Sequence, residues 1–146
     1  MIRFALIVSM LFFSHSIAFG QNIITRCGSS EGHDYWVNNE ALNVGGWKKA
    51  NIPNGKIVLL RDGDDFDIRI VDARGIPSTV SSQNGVIVPV ENSNNNVTLI
   101  INYPGSGTEV YSFTLDEKKK GELIWSKIRH HSLIRNGGIY KSACYG

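Results

Sequence analysis

Cysteine occurs twice in the chain, at positions 27 and 144, and no other feature restricts the fold so much. What precedes the first cysteine sets the redox context. The chain opens MIRFALIVSMLFFSHSIAFG, with a basic Arg3, an apolar run from Phe4 to Phe13 broken only by Ser9, and a small-residue site at Ala18-Phe19-Gly20. This is the anatomy of a secretory signal peptide, cleaved after Gly20. The run is too short for a membrane span, which needs about 20 apolar residues. No second run of that length follows, so no membrane span is expected after cleavage. A lipid anchor at Cys27 is disfavoured because Arg26 precedes it. In an exported protein an even cysteine count implies a disulfide. A Cys27–Cys144 bridge requires the two Cα atoms to lie within about 7 Å. The first and last segments of the mature chain are therefore expected side by side.

Cleavage takes the 146-residue chain to 126 residues, 21–146, which is one domain's worth with no linker or internal repeat. Losing Arg3 from 15 basic residues leaves 14 against 13 acidic ones. A chain so nearly balanced has no general attraction for nucleic acid or an anionic membrane. The run Lys118-Lys119-Lys120 sits within DEKKKG and is expected to be a solvated turn. The cysteines offer no redox chemistry: CxxC is missing, and Arg26 alone could activate a thiolate.

Between the cysteines the chain reads as short strands separated by turn signals. DFDIRIV, 65–71, places Phe66, Ile68 and Ile70 on one face and Asp67 and Arg69 on the other, the period-2 pattern of a half-buried strand. KIVLLR (56–61), VIVPV (86–90), VTLIINY (97–103), TEVYSFTLD, ELIWSKIR (122–129) and IYKSACY continue the series. Within TEVYSFTLD, Tyr111, Phe113 and Leu115 share a face. With GHDYWVNN at the start, this makes about eight strands. Only 41–52 and 130–136 have room for a helical turn. The connections are too short for parallel crossovers. The expectation is an all-β antiparallel meander, curled into a closed or nearly closed β-barrel; a two-sheet β-sandwich is the alternative. Pro89 predicts that its strand is short, bulged or at an edge, because proline donates nothing to a ladder.

CGSSEGHD, 27–34, concentrates chemistry-bearing side chains. In an extended chain neighbours point to opposite faces. His33 therefore cannot be oriented by Asp34, nor act on Ser30, and no GxSxG is present. Ser29, Ser30 and Gly32 read as loop residues ahead of a strand. His33, His130 and His131, with Glu31 or Asp34, could converge as zinc ligands if the last strand brings them to one end, but no HxH or HxxxH spacing fixes that geometry. They read first as surface histidines. RDGDDFD, 61–67, lacks the glycine and glutamate of a calcium loop, and Asp62-Gly63 is better read as a hairpin turn. Asn96-Val97-Thr98 matches a glycosylation triplet, relevant only in a eukaryotic secretory host.

The mature chain holds Trp36, Trp47 and Trp125 and five tyrosines, against two phenylalanines, Phe66 and Phe113. Such side chains pair an apolar body with a polar handle, which suits ligand pockets and interfaces as well as small cores. Tyr35, Trp36, Trp47 and Trp125 are the candidate binding surface.

Gly45-Gly46-Trp47 resembles the GxW at the start of the lipocalin barrel. That resemblance implies that Trp47 closes one end and that Arg129 or Arg135 packs over it. Over nearly its full length the mature chain is similar to small exported bacterial β-proteins of unknown function. The likeness is carried by Cys27, Gly32 with Tyr35-Trp36, Tyr111 with Phe113, Trp125, Ser132-Leu133 and Ala143-Cys144. It implies secretion and a disulfide-closed β-fold and transfers no activity. A looser similarity is to the periplasmic inhibitors of c-type lysozyme.

The expected function is that of a secreted or periplasmic, non-enzymatic binding or inhibitor-like module, without a cofactor, whose partner is a protein or a small ligand. The rivals are a metal-dependent enzyme using His33, His130 and His131, and a structural envelope protein.

Overall fold

The computed structural model describes residues 21–39, 44–130 and 135–146. The expected signal peptide and His131, Ser132 and Leu133 lie outside the described residues. The described chain is all β apart from one 3-10 turn, Ser81–Gln83. The strands are β1 (Asn22–Asn39), β2 (Val44–Ile52), β3 (Lys56–Asp62), β4 (Asp65–Val71), β5 (Pro77–Thr79), β6 (Val86–Asn92), β7 (Asn96–Tyr103), β8 (Gly107–Leu115), β9 (Gly121–His130) and β10 (Arg135–Tyr145). They form one antiparallel sheet in the order β5-β4-β3-β1-β10-β9-β8-β7-β6, with β2 also on β1. The sheet curls into a half-barrel that nearly closes. A single continuous sheet replaces the two of a sandwich.

The two ends of the chain meet as the cysteines required. Cys27 and Cys144 are cross-strand partners in the β1–β10 ladder and form a disulfide, with Cα atoms 3.9 Å apart. Both are buried. A bridge across 117 positions contributes about 4–5 kcal/mol in the chain-entropy picture. The opening of the barrel is therefore elsewhere. β4 approaches β6 without pairing with it, and the seam runs between them.

Three expectations are corrected. Residues 44–52, allowed a helical turn, are strand β2, because VGGWKKANI has no helical apolar period and finds a partner in β1 from Ser30 to Asn39. Ser29, Ser30 and Gly32 are not loop residues but lie inside β1, which starts at Asn22. That strand is sustained on both edges: β10 takes one, while β3 (against Asn22–Cys27) and β2 share the other. The third is the strand count, ten rather than about eight. β5 is only Pro-Ser-Thr and has no apolar alternation to read. An 18-residue strand would run about 60 Å if straight. β1 instead shifts register between Cys27 and Ser30 and between Trp36 and Asn39, which lets it follow the curl.

Other readings hold. Asp62 pairs with Asp65 around a two-residue hairpin loop with Gly63 at φ +61°. Pro89 sits in the terminal strand of the sheet, beside a register shift between Pro89 and Glu91. Asp116 organises the DEKKKG turn by accepting from the Lys118 and Lys120 N–H groups at 2.8 and 2.9 Å. That turn also caps the disulfide end, since Thr25 donates its hydroxyl to the Lys119 carbonyl at 2.7 Å.

Candidate functional site: the charged mouth of the half-barrel

Register fixes what stands beside what on the inner face. Nearest the disulfide, Leu115, Gly121, Cys144, Cys27 and Ile57 form a row across β8, β9, β10, β1 and β3. The next row is Val97, Phe113, Leu123, Ser142, Ser30 and Ile52. Two residues on, Leu99, Tyr111, Trp125, Tyr140 and Gly32 align. Then come Ile101, Glu109, Lys127, Gly138, Asp34 and Lys48. Alternation alone thus carries ionisable residues into the barrel, on the same face as its core.

The aromatic row is the floor of the mouth. Trp125 stacks on Tyr140 at 4.1 Å between centroids and lies parallel to Tyr111 at 5.7 Å. The Trp125 Nε1–H donates to Ser30 Oγ at 3.2 Å, and Ser30 shares a 2.6 Å hydrogen bond with Ser142. Gly32 ends the row: a Cβ there would strike the Ile139 carbonyl and come within 2.7 Å of Tyr140 Cα. A side chain at this position would drive β1 from β10.

Above the aromatics lie two ion pairs, both rooted in β9. Arg129 reaches diagonally to Glu109, which also accepts from the Tyr111 hydroxyl at 2.8 Å. Lys127 reaches the other way, over Gly138, to Asp34 at 3.4 Å, and the Tyr140 hydroxyl donates to the same carboxylate. Gly138 makes this possible, because a Cβ there would lie 2.5 Å from both Asp34 Oδ1 and the Tyr140 hydroxyl. Lys127 Nζ also sits 5.1 Å from the Tyr140 ring centroid, and the Arg129 guanidinium 5.0 Å from that of Tyr103. Glu109 is only 3% exposed, so its charge depends on these donors. Burial, reinforced by the carboxylates, pushes all three hydroxyls above the ordinary tyrosine value: Glu109 acts on Tyr103 and Tyr111, and Asp34 on Tyr140. The Tyr103 hydroxyl is buried with no hydrogen-bond partner among the described residues.

Facing the β8–β9 wall, β3 and β4 complete a cavity of about 240 Å³. Ile52, Ile57, Ile70, Val71, Tyr111 and Trp125 give it an apolar lining, and Lys56, Asp72, Glu109, Lys127 and Arg129 supply its charges. Asp72 is engaged elsewhere: it holds the Arg74 guanidinium at 2.8 Å and accepts from the Arg74 and Ile76 N–H groups. Those bonds, led by the one from Ile76, lower its pKa. On the opposite side of β4, Asp67 is buried by accepting the Ser81 hydroxyl at 2.6 Å, and so ties down the 3-10 turn.

The aromatics expected to form one binding surface divide between two faces. Trp125 is inside, at 7% exposure. Trp36 alternates to the inner phase and is half-buried. Tyr35 and Trp47 pack on each other outside, with ring centroids 5.2 Å apart and Trp47 67% exposed. Arg129 lies over Tyr103, not over Trp47. His33 is on the outer face beside a shallow groove of about 430 Å³ that includes Lys49, Ile124, Ile139 and Lys141. His130 is two strands away and four residues further along the β9 register, about 16 Å by sheet spacing. The described histidines therefore do not converge, and no group of three metal-ligating side chains occurs among the described residues.

Glu109 and Lys127 were not among the residues singled out from the sequence, Arg129 was expected over Trp47, and Asp34 was considered only beside the histidines. Their signal was present. Glu109 continues the parity of Tyr111, Phe113 and Leu115, and Lys127 and Arg129 that of Leu123 and Trp125.

These features define an antiparallel half-barrel whose inner face is apolar and disulfide-linked toward one end and charged toward the other. No protein-family model, curated protein or solved structure matches the chain.

Proposed function

We propose that this protein is an exported, non-enzymatic binding module that takes a small ligand into the mouth of its half-barrel. The carrying observation is the 240 Å³ cavity, whose apolar walls converge on a few fixed charged groups, the combination typical of ligand sites. Export is supported by the leader-like first 20 residues and by the buried disulfide. Among the described residues no helix is long and apolar enough to cross a membrane. The ion pairs suit orientation more than catalysis, because Glu109 and Asp34 each already hold two donors. Mass spectrometry of the natively purified chain, before and after organic extraction, tests the reading. A co-purifying small molecule whose retention is lost on filling the cavity with Ile70→Trp is the expected result. A variant that still retains it would move the site elsewhere. N-terminal sequencing of the exported form tests the leader and is expected to begin at Gln21.

A further inference from the structure

We infer that the cavity selects a small amphipathic carboxylate, an apolar ring or branched chain with an anionic head; this rests on the binding role proposed above. The volume sets the size. A cavity of about 240 Å³ has room for a ring on a short tether. Ile52, Ile57, Ile70 and Val71 with the Trp125 edge provide the apolar contact.

The sign of the head group follows from which charges are already satisfied. Every carboxylate of the cavity and its rim is engaged. Glu109 accepts from Tyr111 and Arg129, Asp34 from Tyr140 and Lys127, and Asp72 from Arg74 and two backbone N–H groups. The ammonium groups are not. Each has three donors. Lys127 makes one ion pair, at 3.4 Å, and Lys56 is in none among the described residues. Lys127 lines the cavity from the inner face, and the exposed Lys56, one residue before the inward Ile57, stands at its rim. A carboxylate entering apolar end first would set its oxygens at the rim between Lys56 and Lys127, gaining charge-assisted hydrogen bonds that no existing acceptor claims. An ammonium head would meet a lining in which Lys56, Lys127 and Arg129 outnumber Glu109 and Asp72, and both of those carboxylates already hold donors.

Three isosteric probes separate this inference from the binding role beneath it: phenylbutyrate, phenylbutanol and phenylbutylamine, titrated into the disulfide-bonded mature chain. Heteronuclear NMR of the Glu109, Tyr111 and Lys127 amides and the Trp125 indole N–H is the readout. The expected result is that phenylbutyrate binds about tenfold more tightly than the alcohol and that the amine binds more weakly than both. The Lys56→Met/Lys127→Met variant should lose that tenfold preference for the carboxylate over the alcohol. If this variant does not fold, the wild type still decides the matter: rising salt should weaken the carboxylate and leave the alcohol alone. Equal binding of all three probes would overturn the anion preference and leave the binding role standing. No perturbation of the cavity resonances by any probe at millimolar concentration would overturn both.

Discussion

At the disulfide end the inner faces of β8 and β9 carry Leu115, Phe113 and Leu123; at the mouth the same two strands carry Glu109, Lys127 and Arg129. The strands, the twist and the alternation are common to both ends, and only the side chains change. The apolar end is held by packing and by a covalent link, so its energetics scale with buried area. The mouth is held by polar partners placed one against another, where each group needs the next. Between them the Tyr111–Trp125–Tyr140 row belongs to both: its rings pack downward on the core, and two of its hydroxyls serve the carboxylates above. One sheet face thus combines an end held by packing with an end held by ion pairs and hydrogen bonds, without a second domain.

Four experiments test that division, from the largest effect down. Cys27→Ser/Cys144→Ser should cost about 4 kcal/mol or more in urea denaturation of the mature chain. A loss under about 1 kcal/mol would mean that strand pairing alone holds the closed end. Phe113→Ala should follow at about 3–4 kcal/mol, because it empties a fully buried site. Glu109→Gln should cost less, about 1–2 kcal/mol, since Arg129 is partly exposed and water can reach it. A cost equal to that of Phe113→Ala would erase the distinction between the two ends. Trp47→Ala, on the outer face, should stay within about 0.5 kcal/mol despite its size.

Alkaline pH provides a further measure of the mouth. Tyr103, Tyr111 and Tyr140 are all raised, first by burial, and each retains its proton in the fold at a pH where the unfolded chain has lost it. Their contribution is therefore fully present below about pH 10 and lost as pH rises through the folded values. Denaturation midpoints should be level toward neutrality and fall above about pH 10. Tyr140→Phe should make that fall shallower. Unchanged steepness in this variant would mean that the fold does not hold Tyr140 protonated beyond the unfolded chain.

Much of the architecture was legible from residue order. Clean alternation in DFDIRIV and TEVYSFTLD marked strands, the two cysteines placed the ends together, and Pro89 marked an edge. What escaped depends on partners. Residues 44–52 have a weak pattern of their own and become a strand because β1 is there to pair with them. Asp67 lies on the polar side of its strand and is buried all the same, because the Ser81 turn folds over it. The mouth was hidden for another reason: a charge at the end of an apolar phase reads locally as the strand leaving the core. Only the register shows that Glu109 and Arg129 stand in a shared interior.

β1 lies inside the sheet although it is the first of the described strands, and one of its edges is covered by the 11-residue β10. Assembly therefore cannot finish in the order of synthesis. The opening segment must wait, with one row of amides and carbonyls unmatched and a lone thiol at position 27, until the C-terminal residues arrive. A chain cut short before Arg135 would retain nine of its strands and still present that raw margin to any neighbour able to zip onto it.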